Sequence, residues 1–163
     1  MDVRKIYEYA LQREKEGKSF FQNNAERMGH AAAEGIFRKL AQEEQTHIEF
    51  IESLIEALDS DGKADASIAA ELNKGGFFLQ RAKSEMLDQT VMESMVPDLP
   101  ILRMAYLIER DFSEFYEMAA SKTEGGAKEA LTMLAKWERG HEQLFKELHD
   151  QIFEEYAAMP WGG

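Results

Sequence analysis

The chain has no cysteine. Disulfides, thiolate nucleophiles, zinc ribbons and cysteine-held iron–sulfur centres are therefore excluded on it. It has only three prolines in 163 residues, so long uninterrupted helices are permitted, and abundant Ala, Glu, Leu, Met and Lys favour them. No apolar run approaches membrane-spanning length, and the opening MDVRKIYEYALQREKEG lacks the apolar centre of a signal peptide. A cytoplasmic protein is the expectation. Positive charge is scarce: 19 Lys and Arg stand against 31 Asp and Glu, for a net charge of −12. Such a surface repels nucleic acid and anionic membranes, so neither is expected as a partner, while cations are attracted. The length suits one domain, residues 1–163.

What the chain does have is a short pattern that occurs twice. Glu44-x-x-His47 lies in AQEEQTHIEF, and Glu138-x-x-His141 lies in LAKWERGHEQLF. Residues i and i+3 share a helix face, so each copy aims a carboxylate and an imidazole at one point. A lone glutamate precedes each copy. Glu14 stands 30 residues before Glu44 (44 − 14), and Glu109 stands 29 before Glu138 (138 − 109). The near-equal gaps suggest two helical hairpins built alike.

Steps of three and four define four apolar seams. The first helix runs from about Asp2, a plausible N-cap, to Met28, with seam Tyr7, Ala10, Glu14, Gly17, Phe21 and Met28. After a break at Gly29, the second covers about 30–58, with seam Phe37, Leu40, Glu44, His47, Ile51, Leu54 and Leu58. The third covers about 99–122, capped by Asp98, with seam Leu102, Ala105, Glu109, Phe112, Tyr116 and Ala119. Gly125-Gly126 makes a turn, and the fourth covers about 127–156, with seam Leu131, Leu134, Glu138, His141, Phe145, Leu148 and Ile152. Residues 60–97 are the least legible. They read as a crossover carrying helix, over 65–74 and 77–95, or as an arm exchanged with a second subunit. The fold class is all-α: an antiparallel four-helix bundle with a long crossover between helices 2 and 3. The halves align at an offset near 95, which marks an internal repeat of one hairpin.

A single seam histidine is usually a satisfied core residue, and a single seam glutamate often marks a boundary. Here four glutamates and two histidines fall on four seams in the same order twice, and no Lys or Arg lies on those seams to pair them. Four packed carboxylates repel unless protons or cations compensate. Two divalent ions balance them charge for charge, and carboxylate with imidazole suits iron, manganese or zinc. Glu43 is expected off the seam. His30 and His149 are expected at the surface.

These residues resemble the ferritin-like di-iron family, most closely its rubrerythrin branch. The resemblance implies a ferritin-like bundle and two iron ions, with Zn or Mn possible in their place. Glu14 and Glu109 match the family's single-carboxylate ligands, and Glu44 with His47 and Glu138 with His141 match its paired ligands. Tyr116, seven residues after Glu109, matches a tyrosine that hydrogen-bonds a ligand carboxylate, a tentative role in the chemistry. Phe21, in the matching place of the first half, departs from it. Phe112 stands where rubrerythrins often carry an extra glutamate, and Gln45 stands where bacterioferritins carry a haem-ligating methionine, so haem is not expected. The family's cysteine-rich rubredoxin-like module has no counterpart here, so electrons are expected from a separate rubredoxin-like donor.

The resemblance implies a non-haem di-iron oxidoreductase that reduces hydrogen peroxide or dioxygen, in a homodimer or small homo-oligomer. Iron oxidation and storage, and a non-enzymatic metal-binding bundle, are the alternatives.

Overall fold

Asp2 opens the first helix as the sequence suggests. Its carboxylate accepts from the backbone N–H groups of Arg4 (3.1 Å) and Lys5 (3.4 Å), two donors that a helix start leaves unpaired. In the computed structural model, which describes residues 2–60 and 93–160, this helix is α1 (Val3–Ala25). It is followed by α2 (Ala31–Ser60), a turn of 3-10 helix (Val96–Asp98), α3 (Leu99–Ser121) and α4 (Gly125–Ala158). With no strand among the described residues, the protein is an all-α bundle. None of these helices is long and apolar enough to cross a membrane.

The four seams are buried as read, with one exception. Leu58 is 45% exposed. Its neighbour Asp59 pairs with Arg4 in the first turn of α1, so the partner helix has run out at that level. The turn residue Gly125 has φ 60°, the left-handed region that glycine enters at little cost, and already begins α4.

Two apolar clusters flank the polar seam positions. One gathers Phe21, Ala25, Phe37, Leu40, Leu102, Phe145 and Leu148. The other gathers Tyr7, Ala10, Ile51, Leu54, Phe112, Tyr116, Leu131 and Leu134. Burial of each large side chain contributes about 1.5–3 kcal/mol. On every helix the glutamate, or the Glu–His pair, falls between the members of one cluster and those of the other. The order of clusters also gives the helix directions. α1 and α4 run one way, and α2 and α3 run the other. The end of α2 and the start of α3 therefore lie at opposite ends of the bundle. The two short helices expected over 65–74 and 77–95 lie, apart from the last residues, outside the described residues.

Asp98 corrects a local expectation. It occupies the position before α3 but caps no N–H of that helix. Its carboxylate instead accepts from the backbone N–H of Gly29 at 3.0 Å, joining the α1–α2 turn to the start of α3. A Cβ on Gly29 would be tight there, 3.1 Å from the Ser94 carbonyl oxygen and 3.3 Å from Asp98.

Candidate metal centre

The glutamates on the four seams meet at one level of the bundle. Glu14, Glu44, Glu109 and Glu138 are 0% exposed, and His47 and His141 are buried with them. The structure thus brings together all six residues that the sequence designates. Their ligand atoms form two overlapping groups, each with atoms within 4.8 Å of one another. One group is Glu14, Glu44, His47 and Glu138, and the other is Glu44, Glu109, Glu138 and His141. Glu44 and Glu138 belong to both.

The distances repeat this sharing. Glu138 presents Oε1 to His47 Nδ1 at 2.7 Å and Oε2 to His141 Nδ1 at 3.2 Å. Glu44 presents Oε2 to His47 Nδ1 at 3.6 Å and Oε1 to His141 Nδ1 at 3.9 Å. Glu14 stands 3.2 Å from His47 Nδ1, and Glu109 stands 3.7 Å from His141 Nδ1. Each paired glutamate spans the two halves, whereas each lone glutamate serves one side. Both imidazoles turn Nδ1 inward.

Burial and mutual repulsion set the electrostatics. Desolvation, then the neighbouring glutamates, pushes Glu44 well above the usual carboxylate range. Desolvation and Glu138 do the same to Glu109 despite opposition from His141. Glu138 is also desolvated, yet His47 and His141 outweigh that and hold it well below the usual range. Burial works to lower both histidines, and the carboxylates around them prevail and raise them well above 6.5. The Tyr116 phenol, raised by burial and then by Glu14, stays protonated and donates to Glu14 Oε1.

Hydrogen bonds leave the cluster incomplete. Both oxygens of Glu44 and both of Glu109 are buried with no hydrogen-bond partner among the described residues. Among those residues no Lys or Arg pairs with any of the four glutamates. Buried carboxylate oxygens without donors are rare in native proteins, and a bound cation is one of the few things that satisfies them. The donor set of carboxylate and imidazole, without thiolate, fits a metal site.

Glu43, expected off the seam, joins neither ligand group. It is nevertheless buried, at 8% exposed, and its Oε2 lies 2.8 Å from His141 Nε2. α2 buries a stripe two residues wide, through Ile36–Phe37, Leu40–Ala41, Glu43–Glu44, His47–Ile48 and Phe50–Ile51. That run of doublets was the available signal, and a one-residue seam hides it. Trp137, likewise outside the seam, stacks on the ring of His47 with centroids 5.6 Å apart. The other two histidines lie outside both ligand groups and are partly exposed. His30 Nδ1 accepts from the Ala32 N–H at 3.1 Å, at the start of α2. His149 stacks on Phe153 and meets Tyr106 edge-on.

The rubrerythrin family profile matches residues 1–96, more than half of the chain, including Glu14, Glu44 and His47. No curated protein and no solved structure matches. The second hairpin, beyond that match, supplies Glu109, Glu138 and His141 in the same order and to the same cluster. The chain belongs to the rubrerythrin family.

Proposed function

We propose that the protein is a non-haem di-iron oxidoreductase that reduces hydrogen peroxide with electrons from a separate donor protein. The observation that carries this reading is the sharing of Glu44 and Glu138 between two ligand groups, which suits two ions held side by side. Glu14 and His47 complete one position, and Glu109 and His141 complete the other. A pair of ferrous ions, when bound, supplies two electrons and Lewis acidity, which match the two-electron reduction of an O–O bond. The chain's part is to hold the ions, exclude bulk water and fix the carboxylates. Tyr116 steadies Glu14 through its phenol. The two apolar clusters keep the layer dry from both ends.

A surface groove of about 390 Å³ is lined by residues that include Tyr9, Arg13, Phe112 and Tyr116, the last of which donates to Glu14. It offers a small neutral oxidant a place beside the Tyr116 ring. Phe112 binds no metal, so all ligation rests on the six residues of the cluster. Peroxide is expected to oxidise the di-ferrous protein faster than dioxygen, as read by stopped-flow absorbance with each oxidant. A clearly faster reaction with dioxygen would replace the peroxidase reading with an oxidase or ferroxidase one. Iron storage is the second reading, favoured by the same shared carboxylates. It requires a hollow shell of many subunits, whereas the enzyme reading expects a dimer or small oligomer of one-domain chains. Gel filtration separates the two.

A further inference from the structure

The two histidines face the cluster alike but are held differently. His141 Nδ1 points at Glu138, Glu109 and Glu44, while its Nε2 lies 2.8 Å from Glu43 Oε2. With Nε2 donating to that carboxylate oxygen, Nδ1 is the nitrogen that faces the cluster and is left to bind an ion. Among the described residues Glu43 has no other partner: its Oε1 is buried without one.

The internal repeat supplies the comparison. The offset of 94 that carries Glu44 to Glu138 and His47 to His141 carries Glu43 to Trp137 (137 − 43). Both residues reach across to the other half, Glu43 to His141 and Trp137 to His47. The indole stacks on its histidine at an interplanar angle of 16°. Its N–H is a donor only, so it cannot accept a proton from Nε2 of His47. Among the described residues every carboxylate near His47 approaches Nδ1. Among the described residues, one imidazole therefore has a carboxylate on its Nε2, and the other has a ring stacked on its face.

We infer that Glu43 is a positioning residue that locks His141 with Nδ1 toward the cluster and makes the two ion positions unequal, the tighter one at Glu109 and His141. A carboxylate behind a metal-bound imidazole fixes its tautomer and strengthens it as a donor, and its loss costs about 10–100-fold in metal affinity. Glu43 acts through His141 and touches no ion itself. The inference rests on the two-ion reading of the cluster.

Cobalt(II) titration of the full chain against a competing chelator tests it. The wild type should take two ions in two separate steps. His141→Ala should abolish the tight step, and His47→Ala the weak one. Glu43→Ala should weaken the tight step by about 10–100-fold and spare the other. Glu43→Gln, whose carbonyl still accepts the Nε2 proton, should lose much less. Nitrogen-15 NMR of the zinc-loaded wild type needs no variant, and should show His141 protonated on Nε2 and bound through Nδ1. Two equal steps, a Glu43→Ala loss shared by both or felt by neither, or ligation through Nε2 would overturn the role of Glu43 alone. Fewer than two ions on the wild type would sink the two-ion reading and this inference with it.

Discussion

The two hairpins carry the same candidate ligands in the same order, yet the residues around those ligands differ. At the repeat offset of 95, Gly17 corresponds to Phe112 (112 − 17) and Phe21 to Tyr116 (116 − 21). The first of these pairs meets across the bundle. A Cβ on Gly17 would stand 2.9 Å from the Phe112 ring and 3.6 Å from Glu44 Oε2. Where one half has bulk, the other has made room. The second pair divides a polar task. Tyr116 donates to Glu14 of the opposite hairpin, whereas Phe21 has no hydroxyl and stacks on Phe145 at 5.6 Å. Glu14 therefore has a phenol, while Glu109 has no hydrogen-bond donor on either oxygen among the described residues. The halves agree where charge must be balanced and diverge where only shape or a single proton is at stake.

The largest expected effect separates shared from unshared carboxylates. Glu44→Ala or Glu138→Ala removes a member of both ligand groups and should abolish binding of both ions. Glu14→Ala or Glu109→Ala should leave one. Metal content per chain after gel filtration reads this directly, and equal losses in all four variants would contradict the sharing.

Metal removal and pH come next. With their pKa values raised in the fold, Glu44, Glu109, His47 and His141 bind more protons folded than unfolded. Their contribution is fully present below the unfolded values, near 4.5 for the glutamates and 6.5 for the histidines, and is lost as pH rises through the folded ones. Glu138 has the opposite sign, and its contribution is lost only as pH falls below 4.5 toward its depressed value. Chelated protein should therefore melt higher at pH 6 than at pH 8. The metal-loaded protein should show the reverse, because protons compete with the ions for the ligands. At pH 8, metal at a hundred times its Kd should stabilise by about 2.7 kcal/mol, a Tm rise of roughly 5–10 °C. Scanning calorimetry at both pH values, with and without chelator, gives all four melting temperatures. Identical values with and without metal would argue that the glutamates do not hold it.

Smaller effects probe the neighbours. Tyr116→Phe makes the halves alike at this place and removes the donor to Glu14, at a cost of about 1.5–3 kcal/mol in urea denaturation. Gly17→Ala should destabilise by about 1 kcal/mol, the cost of overpacking against Phe112 exceeding the gain in helix propensity. In a Phe112→Leu background the same change should be neutral or stabilising. No change of sign or size between backgrounds would mean that the two residues do not press on each other.

Much of this was legible in the sequence. Helix spans, the buried seams and the meeting of Glu14, Glu44, His47, Glu109, Glu138 and His141 follow from a period of three and four interrupted by charge. Less legible were residues one step off a seam. Glu43 and Trp137 occupy the flank that faces a neighbouring helix, and which flank that is depends on how the hairpins pack, which periodicity does not encode. Asp98 read as a cap because it precedes a helix. Its choice of the Gly29 N–H depends on two segments 69 residues apart coming together.

The layering of the bundle also bears on the order of events during folding. Each apolar cluster draws on all four helices and can condense without the charged layer between them. The six candidate ligands come from four helices and converge only when both hairpins are docked in register. Ion binding therefore belongs after the rate-limiting barrier. It should leave the refolding rate nearly unchanged and slow unfolding, so that the metal acts as a latch on a finished structure rather than as a seed for it.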